Sequence, residues 1–197
     1  IGSILGVALA LGLFLFLPAF LIGLLEGILP HWSMSLLEGL IKIAIFIAYM
    51  ALVGLMPDMK RMYGYHGAEH KTIACYEAGQ ELTVENIRKF RRFHPRCGTS
   101  FIFIVLILGI LIFSVITWSN PFIRTILKIA MMPLVIGVGY EIIKFAGRHD
   151  NPLTRAISFP GLQIQRLTTR EPEDAMIEAA IAAMKPVIPK KQGEDQW

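Results

Sequence analysis

The chain has 197 residues and a formal net charge of +4, with 54% hydrophobic and only 17% charged residues. Residues 1–25 and 97–123 contain no Asp, Glu, Lys or Arg, and a helix of about 20 apolar residues spans the hydrocarbon core of a bilayer. The composition therefore argues against a soluble domain. It also argues against nucleic acid as a partner, because no concentrated basic helix or stacking-aromatic pattern is present.

The pattern predicts an all-α membrane protein with about four transmembrane helices. The predicted spans cover residues 4–25, 36–56, 101–118 and 122–145. Pro18 and Pro133 are expected to kink the first and fourth spans, and Trp32 and Trp118 fall in the turns, where interfacial aromatic residues are common. Residues 1–25 are interpreted as a retained span, since no basic stretch or cleavage pattern flanks them. The expected domain boundaries are 1–56, 57–100, 101–146 and 147–197.

The basic residues predict the orientation of the chain. Sixteen of its 19 Lys and Arg residues lie in segment 57–100 or from Lys144 onward, and cytoplasmic segments carry such an excess. Both termini are then expected in the cytoplasm. Lys42, Arg124 and Lys128 are the exceptions, and their long side chains can reach towards the membrane surface. Cys75 and Cys97 also fall in cytoplasmic segments, where a disulfide is not expected.

The segments outside the spans are predicted to be largely helical. A helix over 66–78 is expected to stop at Gly79, and Thr83 is a candidate cap for a second helix through residue 93. An extended stretch is expected through residue 169. Pro172 then opens a C-terminal amphipathic helix, whose apolar face contains Met176, Ile177, Ala180, Ile181 and Met184. The last residues, 186–197, are expected to be disordered.

The segment His66-Gly67-Ala68-Glu69-His70 is the main candidate for chemistry. His66 and His70 lie one helical turn apart and can bind one metal ion, while Glu69 lies beside them as a candidate general base. This H-x-x-E-H pattern occurs in inverzincin peptidases, where a later glutamate is the third ligand. Glu141 would take that position here. Alternatively, the two histidines hydrogen-bond lipid phosphates at the headgroup level.

Three further residues are candidate metal ligands. His94 and Cys97 in the segment HPRC have the donor atoms and spacing of a metal site. The alternatives are a basic membrane-entry turn with an inert thiol, or Cys97 as a nucleophile. Glu141 lies in a span, where a carboxylate usually faces the protein interior, although it can instead pair with Lys144.

The topology brings most of these residues to one membrane level. Four of the five histidines, both cysteines and Glu141 are predicted at the cytoplasmic side, which favours a site for a divalent metal, with zinc the expected ion. Segment 160–172 is interpreted as a stalk that docks the last helix on the membrane or on a partner. The alternative is a strap over this site, with Arg166 or Arg170 holding an anionic substrate or a lipid phosphate.

Three functions follow from this interpretation. The first is a membrane-embedded metal-dependent hydrolase acting on a lipid-linked or membrane-adjacent substrate. The second is a non-enzymatic scaffold or oligomeric pore protein with a structural metal clip, which needs four protein ligands where a catalytic site keeps one position open. The third is a transporter that uses Glu141 as a proton or ion site. Membrane lipids and further copies of this chain are the expected partners.

Three long segments carry a family resemblance. The segments YHGAEHKTIACYEAG, LTVENIRKFRRFHPRCGTSF and PGLQIQRLTTREPED resemble the YqhQ-like family of bacterial multi-pass membrane proteins, over roughly residues 36–183. That family is of uncharacterised function and is commonly described as a candidate metal-dependent enzyme. The resemblance implies a metal site in a bacterial cytoplasmic membrane. It also implies a soluble region ahead of the first span, which this sequence does not contain.

Overall fold

The fold is all-α, as predicted. The computed structural model describes residues 1–25, 27–28, 30–115, 121–149 and 151–189. Its helices are α1 (Gly2–Gly23, with a π-helical stretch at Gly12–Phe16), α2 (His31–Val53), α3 (Pro57–Glu77), α4 (Val84–Arg88), α5 (Gly98–Ser114), α6 (Pro121–Arg148), α7 (Pro152–Thr168) and α8 (Asp174–Met184), followed by a short 3-10 turn at Lys185–Val187. Trp118, Asp150 and residues 190–197 lie outside the described residues.

Among the residues that the structure describes, three helices are long and apolar enough to cross a membrane: α1, the Ser33–Val53 part of α2, and the Ile126–Arg148 part of α6. The third predicted span corresponds to α5, which is apolar but shorter, with 17 residues. Only 6% of the apolar window of α1 is buried within the protein. A helix with apolar side chains on all sides needs an apolar surrounding, so these helices support insertion into a membrane.

The chain divides into two compact units. The first unit contains residues 1–49 and 102–140 and holds most of the apolar helices. Within it, the ring of Phe14 lies 6.5 Å from that of Phe46. Gly39 allows a close helix contact, because a Cβ atom there would lie 2.5 Å from the Ile110 side chain.

The second unit contains residues 50–101 and 141–197, and its core lies between α3, α4 and α8. Ala68, Cys75, Ile87 and Ile177 are fully buried there, and the apolar face of α8 packs against them. Two ion pairs close the edges of this core: Lys71 with Glu171 and Arg88 with Asp174. The predicted amphipathic helix therefore buries its apolar face against α3.

The observed ends of helices α3, α4 and α8 differ from the predicted ones by several residues. Helix α3 begins at Pro57, nine residues before the expected start at His66, because the fixed φ of proline suits a first helical position. The predicted cap of α4 is confirmed, since the Thr83 side chain accepts a hydrogen bond from the Asn86 amide at 3.3 Å. That helix ends at Arg88, however, and α8 begins at Asp174, two residues after Pro172.

The extended stretch predicted before residue 169 is wrong, because residues Pro152–Thr168 form helix α7. Asn151 and Thr154 make a reciprocal capping box, which stabilises the start of the helix. Pro160 and Gly161 disfavour a helix locally, but the buried face of α7 overrides them through tertiary contacts. That face consists of Thr154, Gly161, Ile164, Gln165 and Thr168.

Candidate metal centre

Three ligand-bearing side chains meet in the second unit. His66 and His70 lie one turn apart on α3, and their ring centroids are 4.3 Å apart. Cys97 immediately precedes α5. One ligand atom from each of these three residues lies within 4.8 Å of the other two, and His70 and Cys97 are buried while His66 is half-buried. This group could hold a metal ion.

Both imidazoles are oriented by backbone carbonyls. Nδ1 of His66 donates to the Thr168 carbonyl at 2.8 Å, and Nδ1 of His70 donates to the Arg92 carbonyl at 2.6 Å. A carbonyl oxygen only accepts hydrogen bonds, so Nδ1 carries the proton in each ring. In the neutral rings Nε2 then presents a lone pair. Histidines that bind metals are commonly oriented by this type of hydrogen bond.

The Cys97 thiol completes the group. Its Sγ lies 3.3 Å from His66 Nε2 and 3.1 Å from the Thr99 hydroxyl. Burial raises the pKa of Cys97, but hydrogen bonds with His66, His70 and Thr99 outweigh it and lower the pKa to about 5. The same hydrogen bond with Cys97 raises the pKa of His66, against the effect of burial. The protein thus favours the thiolate, the form that binds metals and acts as a nucleophile.

Gly67 permits the segment after α7 to cross α3 beside the histidines. A Cβ atom at position 67 would overlap the carbonyl oxygen of Arg170. The Arg170 amide donates to the Tyr63 carbonyl at 2.8 Å, which fixes the crossing point. The glycine of the HGAEH segment therefore has a packing role: it lets Thr168 reach His66.

His94 supports the group from one side. The buried Gln165 side chain accepts from the His94 amide at 2.8 Å and donates to its carbonyl at 2.6 Å. The ring Nε2 lies 3.2 Å from a Glu77 carboxylate oxygen, and Nδ1 accepts from the Arg96 amide at 3.3 Å. Hydrogen bonding to His94 lowers the pKa of Glu77, although burial opposes this. Both ring nitrogens of His94 are thus already engaged.

The structure does not bring the two candidate glutamates into the three-residue group. The side chain of Glu141 is 69% exposed, and its carboxylate lies 4.0 Å from Lys144 Nζ, which is the alternative pairing that the sequence offered. Glu69 is exposed and lines a cavity of about 500 Å³ formed by α3, α8 and the turn that follows. Its negative charge contributes to raising the pKa of His66, after the larger effect of Cys97.

The two candidate arginines have different surroundings. Arg166 is exposed and lines a second, larger cavity. The guanidinium of Arg170 instead donates to the Gly54 carbonyl at 3.1 Å, so it holds the end of α2. Segment 160–172 contacts the candidate metal centre through the Thr168 carbonyl, and its Gln165 holds the backbone of His94.

Sequence reasoning missed the groups that orient the ligands. These are the carbonyls of Arg92 and Thr168, the Thr99 hydroxyl and the Gln165 amide. The run of polar residues at 163–170 was a signal for one of these groups, the Gln165 amide in α7. The carbonyls have no sequence signal, because every residue carries one.

A fold of apolar helices with a buried group of two histidines and one cysteine defines the class: an all-α protein with candidate membrane spans and a candidate metal centre. More specifically, the chain belongs to the family described as protein of unknown function DUF1385, whose sequence profile matches residues 1–190.

The chain is also similar to the uncharacterized protein YqhQ of Bacillus subtilis (strain 168). The two sequences are 34% identical over 177 residues, which is 89% of this chain but only 56% of YqhQ. No solved structure matches the chain. The predicted family is confirmed. Neither description names a metal or a reaction, so the metal-dependent activity implied by the resemblance stays a prediction.

Proposed function

We propose that this protein is a membrane-embedded metal-dependent hydrolase that binds one divalent ion, zinc, through His66, His70 and Cys97. The observation that carries the proposal is the orientation of the two imidazoles. Each donates its Nδ1 proton to a carbonyl, which leaves Nε2 of each ring for a metal, and Nε2 of His66 lies 3.3 Å from the Cys97 sulfur. Imidazole and thiolate ligands suit zinc, and a low thiol pKa reduces the cost of losing its proton on binding.

The ligand count favours a catalytic over a purely structural site. Within the described residues the group has three members, whereas structural zinc sites usually have four protein ligands. His94, a further candidate ligand from the sequence, lies outside this group, and its ring contacts Glu77 and the Arg96 amide. A zinc ion with an open position supplies a Lewis acid that activates water or a substrate oxygen.

The remaining residues have distinct proposed roles. The carbonyls of Thr168 and Arg92 fix the orientation of the two imidazole rings, and the Thr99 hydroxyl positions the thiolate. Glu69, which precedes His70 on α3 and lines the adjacent cavity, stays the proposed general base. The cavity beside Glu69 is lined largely by alanine, isoleucine, methionine and valine side chains. This favours a substrate with an apolar part, such as a lipid-linked molecule.

Elemental analysis of the full chain purified in detergent tests this proposal. We expect about one zinc ion per chain, and an increase in melting temperature when zinc is added to chelated protein. His66→Ala, His70→Ala and Cys97→Ser should each lose this zinc. His149→Ala and Cys75→Ser are the matched controls, since both residues lie outside the group, and they should keep it.

Cobalt substitution examines the ligand set directly. A cobalt(II) derivative should show a thiolate charge-transfer band that disappears in Cys97→Ser and remains in Cys75→Ser. Chelated protein that neither takes up zinc nor gains thermal stability from it contradicts the proposal. A site with four protein ligands, including His94, would instead favour the structural clip.

Thiol chemistry without a metal is a second candidate function. The Cys97 sulfur lies 3.3 Å from His66 Nε2, and a cysteine paired with histidine is a common nucleophile–base arrangement. This candidate predicts that the Cys97 thiolate of metal-free protein attacks the carbonyl of an electrophilic ester or thioester, releases its alcohol or thiol, and forms a covalent acyl-enzyme detectable by mass spectrometry. Metal bound at the thiolate should suppress that reaction.

A further inference from the structure

A cavity of about 660 Å³ in the second unit has a strongly cationic lining. Arg91, Arg148, Arg155 and Arg166 all line it, and all four residues are exposed. Neither Asp nor Glu occurs among its described lining residues. Four guanidinium groups around one cavity favour an anionic ligand, and their planar donor pairs match the oxygens of a phosphate.

The same cavity has an apolar part. Phe93, Phe159 and Leu162 contribute to its lining, and Phe159 is 59% exposed. A free anion makes no favourable contact with exposed aromatic side chains. A phosphate that carries acyl chains can contact both the arginines and the apolar residues. The lining therefore matches an amphiphilic phosphate better than inorganic phosphate.

The position of the cavity agrees with a lipid ligand. Ala146, Gly147 and Arg148 line it, and Arg148 is the last residue of the candidate membrane span Ile126–Arg148. The end of a span lies at the level of the lipid headgroups, where basic residues attract anionic lipids. Gly147 also packs closely, since a Cβ atom there would lie 2.7 Å from Cδ of Arg96, so this wall is well packed.

Helix α7 connects the cavity with the candidate metal centre. The Thr168 carbonyl at the end of this helix accepts from His66, whereas Gln163 and Arg166 line the cavity. We infer that this cavity binds the phosphate headgroup of an anionic membrane lipid, held by Arg91, Arg148, Arg155 and Arg166. The inference is independent of the proposed metal, because none of these arginines belongs to the ligand group.

Binding of lipid to the full chain in detergent tests this inference. Native mass spectrometry and melting temperature are measured with phosphatidylglycerol and with phosphatidylcholine in mixed micelles. We expect retention of phosphatidylglycerol and an increase in melting temperature, with little effect of phosphatidylcholine. The variant Arg155→Ala/Arg166→Ala should weaken phosphatidylglycerol binding at least about tenfold, since each basic residue near a membrane surface contributes to such binding.

The control variant Lys60→Ala/Lys89→Ala removes the same charge from exposed positions outside the cavity. It should bind phosphatidylglycerol like the unchanged chain. Equally weakened phosphatidylglycerol binding in both variants would show that only general surface charge matters, and would overturn the inference. So would equal binding of the two lipids, or binding of inorganic phosphate alone as tight as that of phosphatidylglycerol. Without added lipid, both variants should have the melting temperature and the zinc content of the unchanged chain. A failure of the lipid inference can then be distinguished from a failure of the metal proposal.

Discussion

The sulfur of Cys97 lies 3.3 Å from Nε2 of His66, although 31 residues separate them in the sequence. On its other side the same imidazole donates to the Thr168 carbonyl, 102 residues away from His66. The ring is therefore held at both nitrogens by groups from different parts of the second unit. Its position depends on tertiary packing, which makes several properties of the site testable by substitution.

The reactivity of Cys97 should follow its low pKa. Hydrogen bonds with His66, His70 and Thr99 overcome burial and lower this pKa to about 5, so in chelated protein the thiolate predominates at pH 7. Alkylation by iodoacetamide, followed by peptide mass spectrometry, should be near its maximal rate at neutral pH and slow as the pH falls through about 5. Burial raises the pKa of Cys75, which serves as the internal control and should react slowly at neutral pH. A Cys97 profile centred near an ordinary thiol pKa of about 8.5 would contradict this.

Substitution of Gly67 should disrupt the site without touching a ligand. In Gly67→Ala the new methyl group overlaps the Arg170 carbonyl, so the segment after α7 must move away from α3. We expect a loss of stability of about 3 kcal/mol, typical of overpacking against backbone, together with weaker zinc binding. Gly137→Ala is the matched control, because nothing lies within 4 Å of its added atom. Equal melting temperatures and zinc contents for the two variants would show that the crossing is not tight.

The Gln165 amide should contribute mainly to stability. Gln165→Ala leaves the buried amide and carbonyl of His94 without their partner and removes the hydrogen bond to Ser100. Buried unpaired groups and the new cavity should together cost about 3 kcal/mol, measured as a lower melting temperature in detergent. Gln163→Ala, on the half-buried part of the same helix, should change the melting temperature little. A similar decrease in both variants would assign the effect to helix α7 in general.

Glu141 should be dispensable for metal binding. Its carboxylate is largely exposed and close to Lys144 Nζ, outside the three-residue group. Glu141→Gln should therefore retain zinc and change stability by less than about 1 kcal/mol, because exposed ion pairs contribute little. Elemental analysis beside the Cys97→Ser variant provides the comparison. Loss of zinc in Glu141→Gln, with zinc retained in Cys97→Ser, would instead identify Glu141 as the third ligand.

The sequence was sufficient for the helical class and for the two histidines of the candidate centre. Uncharged stretches identified the apolar helices, since charged residues are costly within a bilayer. The spacing of His66 and His70 placed both imidazoles on one helix face, because that relationship is local.

The partner of this pair could not be chosen from the sequence. Cys97, His94 and Glu141 were all candidates as further ligands, and only tertiary structure brings Cys97 within reach. Helix α7 was missed for a similar reason: Pro160 and Gly161 weaken its local helix signal, while the contacts of Gln165 and Thr168 that stabilise it lie far away in the chain.

The hydrogen bond from His66 to the Thr168 carbonyl also has a consequence for biosynthesis. Helices α5 and α6 lie between Cys97 and Thr168, so a ribosome must complete both before the residue that orients His66 is made. The fully oriented centre cannot exist on a shorter nascent chain. Loading of a metal into that centre would then follow synthesis of these apolar helices. Chains interrupted before Thr168 would contain Cys97 but lack the carbonyl that orients His66.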